Sequence, residues 1–258
     1  MDIFNLNYDE FELFLFVFVR VGTIILFAPV LGSQTLPRTL KIGLIFMISV
    51  VVFPLVSSNS LAHPKGILDL AVRLISEGAI GLIISYAARL VFISVQIAGT
   101  LVDFQMGFGV VNVLDPQTNT QVSITAQFEN ILAVLIFLAV DAHHFFIHTI
   151  VDSFAILNPD HFNFSSSTMD FLLTLFSGAF MTAIKLAAPA MAVLFFISVS
   201  LGLIARTVPQ MNVFIVAFPL QIGMGLLMIG MTITFFVMIV KRQFLDLPYN
   251  FMGLLGTM

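Results

Sequence analysis

Asp141, His144, His148 and Asp152 are the residues of this chain whose types and spacing come nearest to chemistry. Their offsets of 3, 4 and 4 put all four on one helix face, within an arc of about 80° at ~100° per residue. Imidazoles and carboxylates so spaced can ligate zinc, and ionisable groups inside a membrane segment mark a functional face by default. The plainer reading is a polar stripe at the membrane-edge end of a helix or along a helix interface. It is the stronger one, because only Glu77 and Asp103 stand ready elsewhere as further ligands. On a regular helix His143 points away from the stripe. With no cysteine, there is no thiol nucleophile, disulfide framework or Cys-based metal site. No nucleophile–base pair, Gly-rich phosphate loop or cofactor motif is present, so neither an enzyme nor a bound cofactor is expected.

The elements that must carry these residues are apolar. Hydrophobic residues make up 59% of the 258, charged residues 9%, and the mean hydropathy is +1.09. Soluble domains carry about 25% charged residues, so the composition describes an all-α membrane protein. Ten Lys+Arg and a net charge of -4 leave no basic footprint for nucleic acid. The acidic first residues lack the basic n-region of a signal peptide. About six apolar stretches stand out, at roughly 13–31, 40–56, 74–98, 131–157, 172–205 and 212–240, and most reach the ~20 residues that cross a hydrocarbon core, as partly kinked helices packed on protein rather than six straight spans. Flanking Lys and Arg are balanced between the two sides, so the positive-inside rule assigns no orientation.

Several residues disturb these stretches. Arg20, Glu77, Arg89, Lys185 and Arg206 sit within or beside them, and a charge at bilayer centre costs roughly 2.5–3.5 kcal/mol on insertion scales. They are expected to be buried against protein, as are Asp141, His144, His148 and Asp152. Pro29, Pro37, Pro54, Pro189, Pro209 and Pro219 are expected to kink or end helices, since proline removes a backbone donor. Gly78, Gly81, Gly223, Gly225 and Gly230 permit close helix approach. Ser165 to Thr168 read as the N-cap of a helix.

Between the third and fourth stretches lies a loop at about 103–122, apolar at its start and amide-rich at its end. Phe104, Met106, Phe108, Val110, Val111, Val113 and Leu114 form the apolar half. Gly107 and Gly109 lend it φ freedom, and Asp115-Pro116 turns the chain back.

Taken in order, the motifs resemble one known family. Phe27-Ala-Pro-Val-Leu-Gly-Ser-Gln-Thr-Leu-Pro37, Gln105-Met-Gly, Val-Leu-Asp-Pro116, Asp141-Ala-His-His144 and Leu201-Gly-Leu-Ile-Ala-Arg-Thr-Val-Pro-Gln-Met-Asn212 are similar to the FliR/SctT family, the R subunit of the type III secretion export gate. The resemblance spans nearly the whole chain. It implies one export-gate membrane domain over 1–258, folded like a P subunit fused to a Q subunit, in hairpins within a helical pore complex. It also implies that the Asp/His stripe is a family feature rather than a metal site.

The implied partners are the P and Q subunits (FliP and FliQ), the FlhB switch subunit, the FlhA export subunit, membrane lipid and unfolded export substrates. The implied location is the inner membrane at the flagellar basal body, raised toward the periplasmic side. The implied function is non-enzymatic: the chain helps form the pore and closes it with the central loop as a plug. Two alternatives stand beside the flagellar reading. One is a virulence-type export gate; the other is a stand-alone secondary transporter for metal cations, using the Asp141/His144/His148/Asp152 face.

Overall fold

A computed structural model of the chain describes residues 8–33, 36–56, 66–108, 123–157, 164–210 and 212–258. Among these residues the regular structure is helical throughout: α1 (Tyr8–Phe27), α2 (Arg38–Val52), a 3-10 turn (Phe53–Leu55), α3 (Ile67–Met106), α4 (Ile124–Ala139), α5 (Ala142–Ile156), α6 (Ser166–Thr207), α7 (Val213–Leu245) and α8 (Leu247–Leu255).

The helix ends follow local chemistry. α1 stops before Pro29, as the residue preceding a proline is driven out of the α region. α2 begins after Pro37, and Pro54 lies in the 3-10 turn. The Ser123 hydroxyl accepts from the Ala126 N–H at 3.0 Å and caps α4. The Ser165 hydroxyl accepts from the Thr168 N–H at 3.2 Å and caps α6, as the sequence predicts. Pro209 lies in the turn after α6. Pro189 and Pro219 sit inside α6 and α7, which continue through them rather than ending.

The chain is an all-α membrane protein, as its composition predicts. Arg38–Leu55, Ile67–Met106, Ser166–Thr207 and Ile215–Leu255 are long and apolar enough to cross a membrane, and the bent pair α4–α5 makes a fifth candidate. The first apolar stretch is α1, whose Asp9, Glu10, Glu12 and Arg20 leave it too charged for this set. The expected fourth, 131–157, is broken by a 64° bend between α4 and α5. At that bend Asp141 adopts φ 54°, a left-handed conformation that Asp tolerates better than most residues.

The described chain divides into two compact units. The first holds α1, α2, α5, α8, α3 as far as Leu90, and α6 as far as Leu175. Its core joins Phe16, Val17 and Ile24 of α1 to Ile80 and Ile84 of α3 and to Phe146 and Ile150 of α5. Phe146 also meets Phe251 of α8 edge-on at 5.7 Å. The second unit holds α4, α3 from Val91, α6 from Phe176 and α7 as far as Gln243. Here Phe92 meets Phe137 edge-on at 5.9 Å, and the Gln221 amide donates to the Ser198 hydroxyl at 3.0 Å.

Candidate functional site: the base of the central loop and the buried charges

The segment from Leu101 to Met106 contains no helix breaker, so α3 runs on through Asp103, Phe104 and Met106, and the loop expected from Asp103 begins at Gly107. The stop is a Schellman motif. The Gly107 N–H donates to the Phe104 carbonyl at 3.2 Å and the Phe108 N–H to the Asp103 carbonyl at 3.1 Å, with Gly107 at φ 88° as this motif requires. A Cβ on Gly107 would stand 2.8 Å from the Phe218 ring of α7. Its left-handed freedom is therefore committed to ending the helix.

The apolar residues here divide sharply. Met106 is fully buried against α7, where a Cβ on Gly225 would stand 2.6 Å from its sulfur. Phe104 is 77% exposed, and Phe108 is half-buried. Gly109, Val110, Val111, Val113, Leu114, Asp115 and Pro116 lie outside the described residues.

The far end of the loop returns to the same place. Asp103 Oδ2 accepts from the Ser123 hydroxyl and from the Thr125 N–H, the latter at 3.1 Å. Asp103 is 4% exposed, and Glu129, one helical turn beyond Thr125, is 8% exposed. The sequence offered two signals for this arrangement: Ser123 as a cap three residues before Ala126, and a carboxylate at 129 inside an apolar run. The predicted segment started at 131 and passed over both.

Of the charges expected to be buried, two are. Arg20 and Glu77 have no exposed side-chain surface and form a fork, with Arg20 Nε donating to Glu77 at 2.5 Å and a terminal nitrogen at 2.9 Å. Arg20 also donates to the Ser153 hydroxyl and the Leu157 carbonyl, each at 3.1 Å, and lies 3.9 Å over the Phe154 ring. By contrast Arg89, Asp141, His144, His148, Lys185 and Arg206 are exposed on the single chain, and Asp152 is half-buried. Hydropathy locates a residue along a helix but not around it, and these side chains occupy outward faces.

The Asp/His face does not form as one helical stripe, because Asp141 stands at the bend before α5. His148 and Asp152 instead line a small hollow of about 50 Å³ with Thr149, Pro248 and Phe251. Asp141 gathers with His143 and His144, their potential ligand atoms within 4.8 Å of one another. This trio occupies the N-terminus of α5, whose positive dipole end favours the carboxylate and opposes a bound cation.

The glycines differ too. A Cβ on Gly81 would meet Thr23 Oγ1 at 2.0 Å and one on Gly78 would make ordinary contact, while Gly223 and Gly230 face open space.

The loop-base arrangement, the buried ion pair and the apolar helices all sit within a sequence that matches known proteins along almost its whole length. Residues 11–247 match the family described as bacterial export proteins, family 1. The chain is 34% identical to the flagellar biosynthetic protein FliR of Bacillus subtilis over 256 residues, covering 96% of this chain and 98% of that protein. It is 32% identical to FliR of Pectobacterium carotovorum over 84% of this chain and 83% of that protein. With FliR of Escherichia coli it shares 29% identity, over 83% and 82% respectively. On this likeness the chain belongs to the FliR family of bacterial export proteins.

Proposed function

We propose that this chain is a non-enzymatic subunit of the flagellar protein export apparatus in the bacterial inner membrane. The observation that carries this reading is near full-length likeness to proteins named flagellar biosynthetic protein. Four or five apolar segments able to cross a membrane support the location. Within the apparatus it acts as one gate domain beside P-type and Q-type subunits, with FlhB and FlhA as further partners, and raised toward the periplasmic side.

In the resting gate the loop from Gly107 to about 122 closes the path for unfolded substrates. Phe104 stands exposed at its entry. Phe108, Val110, Val111, Val113 and Leu114 exclude water and ions, and Asp115-Pro116 reverses the chain. With Gly107 committed to ending α3, the freedom to swing aside falls to Gly109.

Deleting 108–114 tests the closing role. The deleted chain is expected to assemble with its partners while cells become leaky to small ions. Unchanged permeability would sink the plug. Failure of the intact chain to restore swimming in cells lacking their own copy would count against the export reading as a whole.

A further inference from the structure

We propose that Asp103 is a positioning residue of the central loop, its carboxylate clasping the loop's exit to its entry. The two ends of the loop meet at this one side chain. Asp103 lies on the last turn of α3, and Ser123 and Thr125 are among the first described residues after the loop. Asp103 Oδ2 accepts from the Ser123 hydroxyl and the Thr125 N–H. Ser123 in turn accepts from Ala126, so the carboxylate and the helix cap are coupled. A carboxylate at a helix N-terminus meets unpaired N–H groups and the positive end of the dipole, which makes this a favourable place for a buried charge.

The neighbouring packing makes the clasp possible. A Cβ on Gly99 would stand 2.4 Å from the Ala126 Cα, so the α3 and α4 backbones run close enough for a short Asp side chain to bridge them. Met106 and Gly107 are pinned against α7. The entry is thus held by packing, and the exit depends on Asp103.

A second buried carboxyl lies beside this joint. Thr125 and Glu129 are four residues apart on one face of α4, and Glu129 is 8% exposed. Asp103 Oδ1 and Glu129 Oε2 are both buried without a hydrogen-bond partner. Among the described residues no basic side chain pairs with either. The anchored oxygen of Asp103 is therefore Oδ2 alone, and both of its bonds go to the loop's exit.

Only the functional consequence rests on the reading of the loop as the closing element; the clasp itself does not. The chain contains no cysteine, so a single Thr118→Cys reports loop exposure by maleimide labelling of the assembled complex in native membranes. Asp103→Ala is expected to raise the labelling rate about tenfold, as for loss of hydrogen bonds to a charged group. Asp103→Asn keeps an acceptor oxygen and should recover most of the protection.

Labelling of Asp103→Ala at the native rate overturns the clasp. If that variant does not assemble, Ser123→Ala decides: faster labelling supports the clasp and an unchanged rate overturns it. Ion leak measured in parallel separates the two ideas. Faster labelling without leak upholds the clasp and sinks the plug, whereas leak with unchanged labelling overturns the clasp and keeps the plug.

Discussion

Arg20 and Glu77 meet as a two-point fork with no side-chain surface exposed on either residue. The fork joins α1 to α3, and the remaining Arg20 donors reach Ser153 and Leu157 at the end of α5. Every charge here is compensated, so removing one partner strands the other. Breaking a buried pair costs about 3–5 kcal/mol, while replacing both partners with well-packed apolar residues is often neutral. Glu77→Ala is therefore expected to destabilise the chain by about that amount, and Arg20→Met with Glu77→Leu by far less. Denaturant unfolding in detergent measures both. Equal losses would mean that the stranded charge is not the cause.

The glycines predict a graded series, because the partner each Cβ would meet differs. At Gly99 the obstacle is the Ala126 backbone, which cannot give. At Gly225 it is the end of the flexible Met106 side chain, and at Gly230 there is nothing within 4 Å. Overpacking costs typically 1–3 kcal/mol, whereas Gly to Ala in a helix gains roughly 0.5–1 kcal/mol. Substitution by Ala should therefore be most harmful at 99, milder at 225, and neutral or stabilising at 230. Thermal unfolding of the three variants checks the order, and a harmful Gly230→Ala would point to a partner helix on that face.

How much of this was legible in the sequence depended on whether the signal was local. The apolar runs, the Ser165 cap and the extent of the motif series could be read along the chain. The Arg20–Glu77 pair could not, because it joins positions 57 residues apart through packing that no short pattern encodes. The break between α4 and α5 carries neither proline nor glycine; a non-glycine residue in the left-handed region is what makes it. The start of α4 was obscured by Glu129 and Asn130, which interrupt the hydropathy although Glu129 points inward. Arg89 and Lys185 are exposed on the single chain, since an apolar neighbourhood in sequence says nothing about which way a side chain faces.

Asp141 offers a test of that left-handed turn. At φ 54° it has no side-chain cap bond, so its conformation rather than its carboxylate is what the bend needs. Asp141→Gly should be close to neutral, and Asp141→Val should cost roughly 1–2 kcal/mol, the penalty for a left-handed L-residue. Unfolding midpoints distinguish them, and equal behaviour of the two variants would show that the bend is set elsewhere.

Lys185 carries the prediction about membrane depth. α6 has 42 residues, so it extends roughly 63 Å at 1.5 Å per residue, about twice the ~30 Å hydrocarbon core. Only part of it can lie in lipid. Between Lys185 and Arg206 the run 186–205 carries no charge and matches the ~20 residues a span needs, with both basic side chains, exposed on the single chain, able to reach the interfaces. Before Lys185, Met169, Leu173, Phe176, Phe180 and Ile184 are exposed large apolar residues at the three- and four-residue steps of one helix face. A stripe of that kind outside the hydrocarbon needs protein to cover it. Single cysteines placed along the cysteine-free chain should resist a water-soluble maleimide at 190–202. At 173, 176 and 180 they should label readily in the chain expressed alone and become protected once the complete export apparatus assembles. Protection at those three positions without partners would mean that lipid, not protein, covers the stripe.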